Sequence, residues 1–361
     1  MPKRIYQTMN GLRGLAALLV VMFHLQEWFG ALAPSRAFLA TNLFFVISGF
    51  VIALSYEDKF KSNVTPKRFF IIRIIRLYPL YALGTIIQIS VLFMSLYFKK
   101  KIIDQNINSW ISIPFALAML PTPNFSDSSA ALYPLNNPAW SLFYEIIINM
   151  IYVVTWRLWS TKNIAIIMMT IGALMLAHPE FCNGGGLTWG SIGLGILRVF
   201  YSFPAGVLIY RLICMNRIRF TDINSFVVLS ALPILLMLPS EFAPFCMLFG
   251  LPFLVFVAAQ SEPPEVACPL FFALGTVSYT IFALHMPLMH LVSSTLIKLG
   301  FIGNPQLIGC VFLVAIVLGS LLIDAIFDRP IRRFLRRAFL PPRAPEPVRS
   351  AVQPPASADF S

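Results

Sequence analysis

The feature that most constrains this chain is the repetition of long, unbroken apolar runs. Ten segments, roughly 11–32, 38–56, 70–97, 139–159, 163–178, 189–210, 223–239, 244–260, 270–295 and 306–327, carry few charged residues. A helix needs about 20 apolar residues to cross a ~30 Å hydrocarbon core. Most of these runs approach that length; 163–178 is short and 189–210 is interrupted by glycine. Lipid offers the backbone no hydrogen-bonding partner, so a spanning chain must form helices or a closed barrel. Barrel strands alternate apolar and polar residues over about 10 positions, and these runs do not alternate. The expected fold class is all-α: a polytopic membrane helical bundle of about ten transmembrane helices.

The charge content agrees. Only 12% of the 361 residues are charged and 58% are hydrophobic, with a mean hydropathy of +0.78. An average soluble domain carries about 25% charged residues, so this chain lacks the polar surface that water demands. One transmembrane domain is expected over 1–340. The Pro-rich end, 341–361, reads as a disordered cytosolic tail.

The net charge of +12 does not point to nucleic acid, because basic residues collect in the cytosolic loops of membrane proteins. A cytosolic N-terminus places Lys3, Arg4, Lys59, Lys61, Lys67, Arg68, Arg157, Lys162, Arg211, Arg217, Arg219 and the arginines from Arg329 onward inside. Only Arg36, Lys99, Lys100, Lys101 and Lys298 then fall outside. Ten crossings return the C-terminus to the cytosol. The start of the chain mimics a signal peptide, with Lys3 and Arg4, an apolar stretch and Ala31-Leu32-Ala33. Cleavage is not expected, since Pro34 would follow the cut and the run is long enough to span. Cys182, Cys214, Cys246, Cys268 and Cys310 are scattered and suggest neither disulfides nor a zinc site. No metal is expected. The longest connection, 98–138, holds an apolar stretch (WISIPFALAML) that suits a surface-lying or re-entrant segment, and it leads directly into NNPAWSLFYE.

Ionisable residues inside a membrane span are costly and are functional candidates by default. Arg13 and His24 are eleven residues apart on the first span. At 100° per residue both project from one face, about 16 Å apart along the axis. That spacing puts Arg13 at the cytosolic boundary and His24 near mid-membrane. A snorkelling anchor and an interhelical histidine are the plain structural alternatives. Asn42, Ser48 and Gly49 break the apolar second span, where packing alone would account for them. Arg73 and Arg76 open the third span at i,i+3, deeper than Lys67 and Arg68, and paired guanidiniums suit phosphate oxygens. In the fourth span, Ser141 and Glu145 are i,i+4, as are Trp140 and Tyr144. Glu145 would orient the histidine, hold a substrate hydroxyl, or pair with an arginine such as Arg198. The ninth span adds Ser278, Tyr279 and His285, with Pro287 breaking a backbone hydrogen bond.

Taken together, LRGLAALLVVMFH, NLFFVISGF, RFFIIRIIRLYPLY, NPAWSLFYE and LGTVSYTIFALHMPL occur in order over about residues 10–330. In this the chain resembles the acyltransferase-3 family of membrane acyltransferases. Two departures stand out: Asn42 where the family usually has an aspartate, and Asp328-Arg329-Pro330 where it often has a Glu-x-Pro element. The resemblance implies transfer of an acyl group, usually acetyl or succinyl, from a cytosolic acyl-CoA cosubstrate to a hydroxyl of a carbohydrate or glycan. No bound cofactor is implied. The setting would be a bacterial inner membrane, with membrane lipids as the remaining partners. His24 would then be the general base, with Glu145 assisting and Arg13 stabilising negative charge. Arg73, Arg76, Asn42, Ser48, Trp140, Ser141, Tyr279 and His285 would line the substrate or acyl-CoA site. The competing class is a transporter or flippase, since intramembrane Arg, His and Glu also mark substrate pathways.

Overall fold

In lipid a helix need not hide its apolar face, so apolar residues can surround it. The computed structural model, which describes residues 6–61, 64–97, 109–124, 127–214, 223–298 and 303–340, follows that rule. The helices are α1 (Gln7–His24), α2 (Ala40–Lys61), α3 (Pro66–Tyr97), α4 (Ser109–Leu117), α5 (Ala139–Thr155), α6 (Thr161–Ala177), α7 (Ile192–Cys214), α8 (Ser225–Met237), α9 (Leu251–Ala258), α10 (Cys268–Lys298), α11 (Pro305–Ile323) and α12 (Arg329–Phe339), joined by shorter helical turns. Among the described residues the sole β feature is an isolated bridge, Ala131 to Thr188. On α11 the residues Leu307, Val311, Val314, Leu318 and Leu322 form one exposed stripe at helical spacing, the surface expected against acyl chains.

All ten apolar segments are helical. Seven are long and apolar enough to cross a membrane, and the bent pair at the N-terminus makes an eighth if counted as one span. The expected ten is therefore not reached at full length. At a rise of 1.5 Å per residue, α6 and α8 are about 26 Å and 20 Å long, short of a ~30 Å core. α8 nevertheless runs between the same two ends as the others, and α6 starts at the Arg211 end, where the Trp159 carbonyl accepts from Arg211. At one end the Gln7 backbone N–H meets Glu262, Ser261 reaches the Ile223 carbonyl, and Glu57 binds Arg211. At the other end Arg36 donates to the Leu238 carbonyl, and the 130–132 segment bonds to 187–189. The expected 341–361 tail and residues 1–5, 99–101, 217 and 219 lie outside the described residues.

Without a solvent drive between helices, close packing through small residues holds a membrane bundle together. α1 packs along α10, α2 along α7, and α3 along both α10 and α5. At the α2–α7 crossing, a Cβ on Gly206 would strike the Val46 carbonyl, and one on Gly49 the Phe203 carbonyl. Backbone cannot move aside as a side-chain tip can. Gly206→Ala is expected to cost about 1–3 kcal/mol by overpacking, read as a lower melting temperature of the detergent-solubilised protein. An unchanged melting temperature contradicts this packing.

α1 ends at His24, and the chain bends by 83° into the segment Gln26–Leu32. His24 is therefore the last residue of α1, at the bend. The bend has a packing cause: Leu25 and Phe29 turn into a buried cluster with Val277, Ile281, Phe312 and Ile316. Trp28 meets Phe312 edge-on at 5.8 Å.

Candidate functional site

Two cavities lie one beyond the other along the bundle. The first, about 750 Å³ including its open mouth, is lined among others by Arg13, Ser48, Arg73, Arg76, Ser141, Glu145, Ser278 and Tyr279. The second, about 570 Å³, is lined by His24, Asn137, Trp140, Gly185, Arg198 and neighbours. Thr41 and Phe282 line both, so these two residues form the partition. The positions along the helices set this order. Arg13 is six residues into α1, whereas His24 ends it and faces the chain turns at 37–41, 137–140 and 184–187.

Electrostatics define the first cavity. The Glu145 Oε1 accepts from the Arg73 guanidinium and, at 2.9 Å, from the Ser48 hydroxyl. Arg73 is buried, so the pair is largely desolvated. Arg13 donates to the Ser278 hydroxyl at 3.1 Å, and that hydroxyl donates to the Gly275 carbonyl at 2.8 Å. Arg76 lies within electrostatic reach of Arg73, Arg13 and Glu145. Among the described residues neither Arg13 nor Arg76 pairs with a carboxylate. Three guanidiniums thus surround the cavity against one carboxylate, leaving an excess of two positive charges for an anionic ligand. Ser141 spends its hydroxyl on the Pro138 carbonyl at 3.1 Å, and Tyr279 on the Leu77 carbonyl at 2.5 Å.

The second cavity is lined by one histidine, with another buried behind it, and by a buried arginine. The His24 ring lies 5.2 Å from that of His285. His285 is buried, lines neither cavity, and directs Nδ1 to the carbonyls of Phe282 (2.9 Å) and Ile281 (3.2 Å). Its Nε2 has no partner among the described residues. Arg198 lies above the Trp140 ring at 5.3 Å. The Gly185 carbonyl it binds comes from a run, Gly184–Gly186, in which every φ is between 93° and 116°. That left-handed backbone favours glycine.

The sequence candidates are therefore divided. Arg13, Arg73, Arg76, Ser48, Ser141, Glu145 and Tyr279 share one cavity; His24 and Trp140 share the other. Glu145 pairs with Arg73, not with His24 or Arg198, so it does not orient the histidine. Asn42 is fully buried and lines neither cavity, because Arg198 and Ser202 occupy its amide. Asp328 and Asp324 are held by Arg329 and Arg332 at the cationic end of α12. Sequence reasoning gave Arg198 no role of its own, although an arginine inside an apolar run carries the same default as Arg13. Thr41, Phe282 and the glycine run had no comparable signal.

Comparison with known proteins agrees with the geometry. Residues 6–325 match the acyltransferase domain of the acyltransferase-3 family. A protein of Rhizobium radiobacter described as "Protein 2 in picA locus" is 33% identical over 192 residues, which is 50% of this chain and 98% of that protein. No solved structure matches. The match covers nearly the whole of an apolar bundle that holds an Arg-rich cavity beside a histidine cavity: this integral membrane protein belongs to the acyltransferase-3 family and is a membrane acyltransferase.

Proposed function

We propose that the protein transfers a short acyl group, acetyl or succinyl, from a cytosolic acyl-CoA to a hydroxyl of a carbohydrate or glycan at a bacterial inner membrane. The observation that carries this reading is the stacking of the two cavities. The first offers uncompensated guanidiniums, which suit the phosphates of CoA. The second offers an imidazole at the opposite end of α1, about 16 Å farther along the helix.

With the N-terminus in the cytosol, as the Lys/Arg bias argues, the arginine cavity faces the donor pool. The acyl thioester then extends past Thr41 and Phe282 toward His24. The imidazole takes the proton of the acceptor hydroxyl as its oxygen bonds to the acyl carbon. The carbon–sulfur bond breaks, CoA leaves as thiolate, and the proton held by His24 neutralises it. His285, buried at 5.2 Å, positions the His24 ring. Arg13 and Ser278 lie on the donor side, where they steady negative charge on the CoA phosphates.

The test is release of free CoA by purified protein given acetyl-CoA or succinyl-CoA with a glycan acceptor. Acceptor-dependent release supports the reading, and its absence with every donor and acceptor contradicts it. Arg76 provides a sharper probe because it pairs with no carboxylate. Arg76→Gln is expected to raise the KM for acyl-CoA about tenfold, the loss of one charge-assisted phosphate contact, with kcat little changed. A fall in kcat at unchanged KM would place Arg76 elsewhere in the mechanism.

A further inference from the structure

The buried Arg198 has no role in that scheme. It is 1% exposed, and its acceptors are all neutral. Nε and Nη2 donate to the Asn42 side-chain oxygen at 3.1 and 2.6 Å. Nη2 also donates to the Thr41 hydroxyl at 2.7 Å and the Phe38 carbonyl at 3.0 Å. Nη1 donates to the Gly185 carbonyl at 2.7 Å. The ionisable groups that act on it are Cys182 and Tyr144. Among the described residues no carboxylate pairs with Arg198.

This arrangement is unusual energetically. A cation taken out of water costs several kcal/mol unless a counter-charge offsets it. Asparagine has the shape of aspartate without its charge, so Asn42 holds the guanidinium in place and leaves its charge unneutralised. The second Nη1 hydrogen also lacks an acceptor among the described residues. Arg198 lines the same cavity as His24, and the Trp140 ring covers another side of its guanidinium. The cavity is therefore the side from which a counter-charge can reach the guanidinium.

We propose that the His24 cavity contains an anion subsite, centred on Arg198, that selects a substrate carrying a carboxylate. The inference rests on the acyl-transfer reading and specifies the substrate class of its second cavity. One carboxylate oxygen accepts the free Nη1 hydrogen and supplies the missing counter-charge, and the same substrate presents its reacting group to His24. The carboxylate arrives either on the acyl group, as the free end of a dicarboxylic acyl chain, or on the acceptor, as a uronic-acid-type sugar.

The experiment compares the wild-type protein with Asn42→Asp, which supplies the counter-charge within the fold. One arm gives succinyl-CoA or acetyl-CoA with a neutral oligosaccharide. The other gives acetyl-CoA with a uronic-acid-containing or a neutral oligosaccharide. The wild type is expected to prefer the carboxylate-bearing member of one arm by about tenfold or more in kcat/KM, the worth of a charged hydrogen bond. The arm that responds identifies the source, and Asn42→Asp is expected to erase the preference. A second reading needs no turnover: succinate or glucuronate alone should raise the melting temperature of the wild type and not of Asn42→Asp. Equal use of both members in both arms, or no difference between the two proteins in stabilisation by the carboxylates, overturns the subsite. Carboxylate stabilisation without CoA release leaves the subsite standing and contradicts the acyl-transfer reading.

Discussion

Replacing His24 by alanine is expected to lower acyl transfer by about 10²–10⁴-fold, the usual contribution of a positioned general base, while the protein accumulates normally. The separation of the two effects follows from the contacts. The His24 ring meets the Phe23 and His285 rings and lines a cavity, and its removal breaks no hydrogen bond among the described residues. The measurement is acceptor-dependent CoA release in membranes, normalised to protein level. Activity within a few-fold of wild type would remove His24 from proton transfer. His285 would then be the remaining histidine close enough to the cavity to do it.

Glu145→Ala is expected to destabilise the fold by up to about 3–5 kcal/mol, because it strands the buried Arg73 cation without its partner. Arg73 has no spare stabilisation, since its Nε already lacks a partner among the described residues. Combining Glu145→Ala with Arg73→Met removes both charges and should recover most of the melting temperature. It should not recover donor affinity, because the cavity has then lost a guanidinium. Thermal unfolding of the three solubilised variants separates these outcomes. Additive losses in the double variant would show that the two groups do not stabilise each other.

The all-α bundle was legible in the sequence because lipid leaves a chain with so few choices. Apolar runs of spanning length admit only helix, and every such run became one. The polar residues inside those runs were legible for the same reason, since burying them in an apolar medium demands a use. The partners were not legible. Glu145 could have met any of several arginines, and which one it meets depends on how α3 and α5 pack, a property of residues far apart in sequence. The helical spacing placed Arg13 and His24 on one flank of α1, but it could not show that Thr41 and Phe282 would divide the space between them. The 83° bend after His24 had no local signal either, since Leu25 is neither glycine nor proline. It arises from the burial of Leu25 and Phe29 against α10 and α11.

In the proposed mechanism donor and acceptor occupy opposite cavities that meet at Thr41 and Phe282. An experimental structure with a non-hydrolysable acyl-CoA analogue tests it most directly. Phosphates are expected against Arg73 and Arg76, with the acyl end directed toward His24. Phosphates bound at the His24 end, or an analogue bound with the arginine cavity empty, would contradict it.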